Sequence, residues 1–313
     1  MLSHVTGLVL PARGIKFMAT SKKLRIVQID VFTDCPLTGN ALAVCLDGRE
    51  LTTEQMQAIA RETNLSETTF VVPANAANER DRGIRVRIFT VAEELPFAGH
   101  PTLGTAFVLR GSSGASEVRL ELNVGVVPVR FEDLHGQPSF GEMTQVEPQF
   151  MAQHDRAAVA KAIGLRVEDL DPSLPVETVS TGLAYTITPI RSLAVLRDLR
   201  IDSVRGQQYL AEHGGKFFYF VSRETVDPKA RLHARMLFYG TEDPATGSAA
   251  GCTAAWMVAH GVAQPEERVL IEQGIEMKRP SQIFVRASKD GNRVVNVRVG
   301  GNAVEVMRSE FSF

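Results

Sequence analysis

Apolar positions along this chain cluster in short runs whose spacing switches between a strand-like and a helix-like period. Residues 24–32 open with Ile26, Val27, Ile29, Val31 and Phe32, a β-branched and aromatic set that predicts a strand, and 41–46 predicts a second. Met56, Ile59 and Ala60 then recur at helical spacing over 53–61, with Thr52 as cap and Gln55 three residues on. Residues 67–72 read as a strand, the charged, alanine-rich stretch to 81 as a loop, and 84–89 as a strand. A helix is expected at 103–109, followed by strands at 118–123 and 126–131 whose turn residues favour antiparallel neighbours.

The second half repeats this order. After an irregular stretch holding one helix, 156–163, strands are expected around 179, 184–187, 216–221 and 231–238, with a polar helix at 204–213. A helix at 247–260 rich in small residues follows, then strands at 269–273, 283–286, 293–299 and 304–307. Many short strands around few helices, in two matching halves, predict an α+β fold with two related lobes. We place the lobes at 24–150 and 151–313, with terminal strands free to cross between them, and read 1–23 as an N-terminal extension expected to be disordered. Within it, the first 17 residues read as a mis-called start or a tail, because Met18 precedes the first clear strand.

Composition narrows the class. At 313 residues the chain is long enough for two cores, and 34 Lys plus Arg against 36 Asp plus Glu disfavours a general nucleic-acid binder. No apolar run approaches the roughly 18 residues that cross a bilayer. Cys35, Cys45 and Cys252 form no CxxC pair and read as packed thiols, and the seven histidines show no metal-ligand spacing. The aromatic run Phe217, Phe218, Tyr219, Phe220 is better read as a core strand than as a base-stacking platform. Cytosol is the simplest compartment, and neither a nucleic-acid nor a membrane partner is expected.

The same small phrase occurs twice, as His100-Pro-Thr-Leu-Gly-Thr-Ala106 and as Asp243-Pro-Ala-Thr-Gly-Ser-Ala249. Each follows a strand and opens a helix, an order that presents free N–H groups to an anion. Gly99 and Gly104 flank His100, while Gly247 and Ser248 open the second helix. The residue before the shared proline is ionisable in both copies, which suggests that His100 and Asp243 occupy matching places in one cleft. The bland alternatives are a structural histidine and an ordinary acidic helix cap.

Glu67, in Asn64-Leu-Ser-Glu-Thr, opens a strongly apolar strand and is read as sharing a face with Phe70 and Val72. Burial there raises a carboxyl pKa, as suits a group that must be both base and acid. An edge position facing solvent is the competing reading. Asn40, after Gly39, is a candidate for holding a polar substrate, although Thr-Gly-Asn is also a common hairpin turn.

Taken together, these segments resemble the phenazine-biosynthesis PhzF-like isomerase family, which shares the diaminopimelate epimerase fold. The resemblance rests on Asp30-Val-Phe32 with Gly39-Asn40, Asn64-Leu-Ser66-Glu67, Pro96-Phe-Ala-Gly-His100-Pro-Thr-Leu-Gly104, Glu242-Asp-Pro-Ala-Thr-Gly-Ser248, and Gln273-Gly274 with Arg279-Pro-Ser281. It implies two pseudo-symmetric lobes, each a curved, mostly antiparallel sheet or barrel around a central helix, with the site between them.

By that resemblance Glu67 is the acid/base, His100 and Asp243 assist, and Asn40, Ser66, Gly99, Gly104, Gly247 and Ser248 bind a small carboxylate substrate. No cofactor or metal is implied, and a homodimer is. The related epimerases and racemases carry paired cysteines where His100 and Asp243 stand, so two-thiol stereoinversion is disfavoured. Epimerase, racemase or hydratase-like chemistry on a related acid, and a non-catalytic metabolite binder, remain the alternatives. Lys278 departs from the pattern, since a glycine is common there.

Overall fold

The protein is described by a computed structural model over residues 22–133, 139–238 and 240–313. The expected N-terminal extension lies, through residue 21, outside the described residues. Lys22 already pairs with Phe313, and the first strand, Lys23–Val31, begins at once.

The two halves repeat one pairing scheme. In the first, Lys23–Val31 lies antiparallel to Asn40–Cys45, which runs parallel to Glu67–Val72, then antiparallel to Ile84–Phe89, which is parallel to Glu117–Leu122. In the second, Val176–Ser180, Ala184–Pro189, Phe217–Ser222, Ala230–Phe238 and Val269–Gln273 follow the same alternation. A parallel neighbour needs a crossover, and each parallel step from the second to the third strand carries helices: Thr53–Thr63 in one lobe, Leu193–Arg197 and Ser203–His213 in the other.

Each lobe also holds a helix inside its curved sheet, Gly99–Arg110 and Gly247–Ala259. The second is buried along nearly its whole length, and its run of Gly, Ala, Ser, Cys and Thr lets surrounding strands approach from every side. Trp256 fills the far end of this helix. Phe217–Ser222 is buried throughout, as a core strand should be.

Three expectations are corrected. Ala76–Arg82 is a helix rather than a loop, because Asn75 caps it by accepting from the Asn78 N–H, and its charged face needs no apolar stripe at the surface. Phe140–Thr144 and Gln149–His154 are strands in the stretch read as irregular. The first pairs with Gly125–Glu132 and with Arg293–Gly301, the second with Val176–Ser180, so the chain leaves the first lobe between 145 and 148. The last strand, Ala303–Ser312, returns to the first lobe beside Lys23–Val31. Finally, Cys35 is exposed, whereas Cys45 and Cys252 are buried.

Candidate active site

Three local devices aim side chains into the space between the lobes. Gly39 has a positive φ, and a Cβ there would run into the Val31 carbonyl, so only glycine makes this turn and points Asn40 inward. The turn is held from the other half of the chain. Arg279 donates to the carbonyls of Gly39 and Thr38 at 2.7 Å each and to Asp30 at 2.8 Å, and the Gly39 N–H donates to the Pro280 carbonyl. Lys278, in the same loop, sits at φ 59°, the left-handed region where glycine is favoured.

The second device is Asn64, which ends the helix Thr53–Thr63 in the left-handed conformation and delivers Ser66 and Glu67 to the strand. Two-residue alternation puts Thr69 and Val71 on the face of Glu67; Phe70 and Val72 lie on the other. Phe70 accordingly packs outward under the helix Thr53–Thr63, while Val71 joins the inner core.

The third device is the meeting of the two inner helices at their N-termini. A Cβ on Gly99 would lie 2.6 Å from the Ser248 nitrogen, and one on Gly247 would lie 3.3 Å from the Gly99 Cα. Neither helix has a side-chain cap on its N–H groups. Gly99 and Gly247 are therefore the equivalent positions, touching where the two lobes meet. This shifts the repeat by five residues from its reading in the sequence: His100 matches Ser248, and Asp243 lies at the end of the short strand Thr241–Asp243, before the helix. His100 and Asp243 still converge, from non-equivalent places.

Asn40 joins them. Its amide nitrogen lies 2.8 Å from Asp243 Oδ1, 2.9 Å from the Ala245 carbonyl and 3.1 Å from His100 Nδ1. Because Asn40 presents N–H groups, His100 Nδ1 must be a lone pair, and the neutral ring carries its proton on Nε2. Burial lowers the His100 pKa to about 3, and the first turn of a helix further disfavours a cation.

Nε2 faces Glu67 Oε2 across 3.5 Å, and neither atom has a hydrogen-bond partner. Glu67 keeps 15% of its side chain exposed toward the cleft. Burial, and next the negative charge of Asp243, push its pKa well above the usual carboxylate range.

Asp243 is equally enclosed but fully partnered. Oδ1 accepts from Asn40 and from Ser66 Oγ at 3.3 Å, and Oδ2 from the Thr246 hydroxyl at 2.6 Å. Burial raises its pKa to about 6, against the pull of those donors. The acidic-cap reading fails here, since Asp243 takes side-chain hydrogens and no helix N–H. Ser248, at the start of its helix, shares a 2.8 Å hydrogen bond with Tyr185.

Asn40, Ser66, Glu67, Gly99, His100, Asp243, Gly247 and Ser248 are thus gathered in one cluster where the two lobes meet. Gly104 is not: a Cβ there would strike Val31 and Leu42, so its smallness serves the packing of the helix on the first two strands. Thr246, Tyr185, Tyr219 and Gln273 join this cluster by hydrogen bonds and are not among the candidate residues that the sequence offers. Gln273 stands in a matched motif; the tyrosines read only as strand residues. Among the described residues no group of three or more His, Cys, Asp or Glu side chains is gathered as a metal site would need.

The phenazine biosynthesis-like protein family, PhzC-PhzF, matches residues 29–309 of the chain. The chain belongs to this family. An uncharacterized isomerase of Mesorhizobium japonicum, mll1393, is 38% identical over 292 residues, covering 88% of this chain and 95% of that one. A trans-2,3-dihydro-3-hydroxyanthranilate isomerase of Pseudomonas aeruginosa is 36% identical over 279 residues, covering 89% and 95%. The crystal structure of a PhzF-family phenazine biosynthesis protein from Bacillus anthracis superposes with a TM-score of 0.81 at 30% identity, over 93% of this chain and 99% of that one. The two-lobed, diaminopimelate epimerase-like architecture is that of the PhzC-PhzF family, and this member is an isomerase. No helix among the described residues is long and apolar enough to cross a membrane.

Proposed function

We propose that the protein isomerises a small, unsaturated carboxylate metabolite by moving one proton between two carbons, with Glu67 as the acid/base. The observation that carries this reading is the unpartnered Glu67 Oε2, facing the His100 Nε2 proton beside two uncapped helix N-termini. In the ionised form Glu67 accepts a proton from carbon next to the unsaturated system. The C–H electron pair delocalises toward the substrate, and the same carboxyl returns the proton to another carbon, so nothing is oxidised or reduced.

Negative charge that develops in between is held by the N–H groups of the Gly99 and Gly247 helices, by Ser248 and by the His100 Nε2–H. Asn40, itself held by Asp243, fixes the His100 ring by occupying its Nδ1 lone pair, and burial keeps the ring neutral. A dihydrohydroxyanthranilate-like acid fits this chemistry, by analogy with the relative that carries that name. We extend the reading, on family resemblance, to a cytoplasmic homodimer.

The test is solvent deuterium incorporation over a panel of unsaturated cyclic and amino carboxylic acids. Wild-type protein is expected to label at least one acid, and Glu67→Gln to bind it without labelling. Equal rates for the two proteins on that acid would refute the assignment of Glu67. A metabolite binder would label nothing.

A further inference from the structure

Gln273 is fully buried at the end of the strand Val269–Gln273, and its amide is saturated. Oε1 accepts from the Tyr219 hydroxyl at 2.8 Å and from the Thr246 N–H at 3.1 Å. Nε2 donates to the Asp243 carbonyl at 2.7 Å and to Thr246 Oγ1 at 3.0 Å. A flipped amide would set Oε1 against that carbonyl and Nε2 against the Thr246 N–H, so one orientation is imposed. Since Thr246 Oγ1 accepts from Gln273, its own hydrogen is directed to Asp243 Oδ2, 2.6 Å away.

Tyr219, Gln273 and Thr246 therefore form a one-way line of donors ending on Asp243. Nothing comparable reaches Glu67, whose buried Oε2 has no partner.

We propose that Gln273 is a positioning residue: through Thr246 it keeps Asp243 an anion, so that Glu67 and not Asp243 is the carboxyl that takes up and returns the site's mobile proton. The line decides the order in which two neighbouring carboxyls ionise, which two isolated acids in the same cavity would leave open. The charged and titratable groups that act on Asp243 are Glu67, Glu242, Tyr185 and Tyr219, with His100 on the other side of the Asn40 amide. Of these only Tyr219 touches Gln273. Gln273 needs no contact with substrate, so its role is separable from binding. The proposal rests on the reading of Glu67 as the acid/base, and its test does not.

The experiment follows the Asp243 carboxyl carbon by NMR in protein carrying 13C-labelled aspartate, the resonance being assigned by its loss in Asp243→Asn. Thr246→Val and Gln273→Leu are each expected to raise the Asp243 midpoint by about one pH unit, the scale of one charge-assisted hydrogen bond. The double variant should shift no further than either single one, because Gln273 acts through Thr246. Thr246→Ser, which keeps the hydroxyl, should restore the wild-type midpoint.

A folded Gln273→Leu protein with an unshifted midpoint, or shifts that add in the double variant, would overturn the proposal. Should Gln273→Leu fail to fold, Tyr219→Phe removes only the first donor: a raised midpoint supports the line and an unchanged one overturns it. A failure of Glu67→Gln to lose deuterium incorporation would overturn the Proposed function while leaving this titration as it stands.

Discussion

Glu67 and Asp243 are both carboxyls in one enclosed space, yet their surroundings differ in a way that decides their behaviour. Asp243 accepts three hydrogen bonds, whereas Glu67 has a buried oxygen with none. Ionising Glu67 therefore carries most of the cost of burying a charge. Its folded pKa lies above the unfolded value, so between the two the folded state binds more protons, and stability falls as pH rises through that window. Asp243 contributes in the same direction up to about 6. His100, with its pKa lowered to about 3, works the other way: the folded state refuses a proton there, and stability falls as pH drops toward that value. Glu67→Gln removes only the Glu67 contribution. The variant should be more stable than wild type at about pH 9, by on the order of 1–3 kcal/mol, and nearly equal at about pH 4. Urea unfolding at the two pH values measures this; a variant equally or less stable at the alkaline pH would show that the carboxylate of Glu67 is better solvated than its geometry indicates.

At the scale of elements, the contact of the two inner helices depends on the absence of side chains at Gly99 and Gly247. The backbone on the far side of Gly99 belongs to Gly247 and Ser248 and cannot rotate away. Gly99→Ala should gain a little helix propensity and lose more by forcing the helices apart, for a net cost of about 1–3 kcal/mol together with a fall in turnover. Chemical denaturation and the exchange assay read the two effects, and an alanine tolerated in both would remove the close approach from the account. The strand that opens on Glu67, and the start of the second inner helix at Gly247, were legible from pattern because apolar runs, caps and glycines sit at their ends. Their pairing was not. Matching Asp243 to His100 by the shared proline is sound as text, but only the contact of Gly99 with Gly247 reveals that His100 corresponds to Ser248. Gln273 was legible as part of a motif and silent as to its role, because hydrogen bonds between residues 27 and 54 positions apart leave no local trace. Ala76–Arg82 was missed because a surface helix capped by Asn75 needs no apolar period.

For the whole molecule, the consequence of the chain's path is that the first lobe is made from two separated segments and the two lobes share a strand ladder. Phe140–Thr144 is shared between Gly125–Glu132 and Arg293–Gly301, and Ala303–Ser312 completes the sheet that Lys23–Val31 begins. The largest apolar cluster runs through Leu42, Leu103 and Val129 of the first lobe and Trp256, Val285 and Val297 of the second without a break. Separating the lobes would expose that core and strand two edge strands at once, so an intermediate with one lobe folded gains little. Trp256, the chain's one tryptophan, reports on the second lobe alone, while far-ultraviolet circular dichroism reports on all strands and helices. Unfolding in urea should give coincident transitions by the two probes, and Glu67→Gln should move both midpoints together. Two separated transitions would mean that the shared strands are too weak to couple the lobes. The cleft would then be free to open without unfolding, and the convergence of Asn40, His100 and Asp243 would have to be maintained by the local hydrogen bonds of Asn40, Ser66 and Arg279.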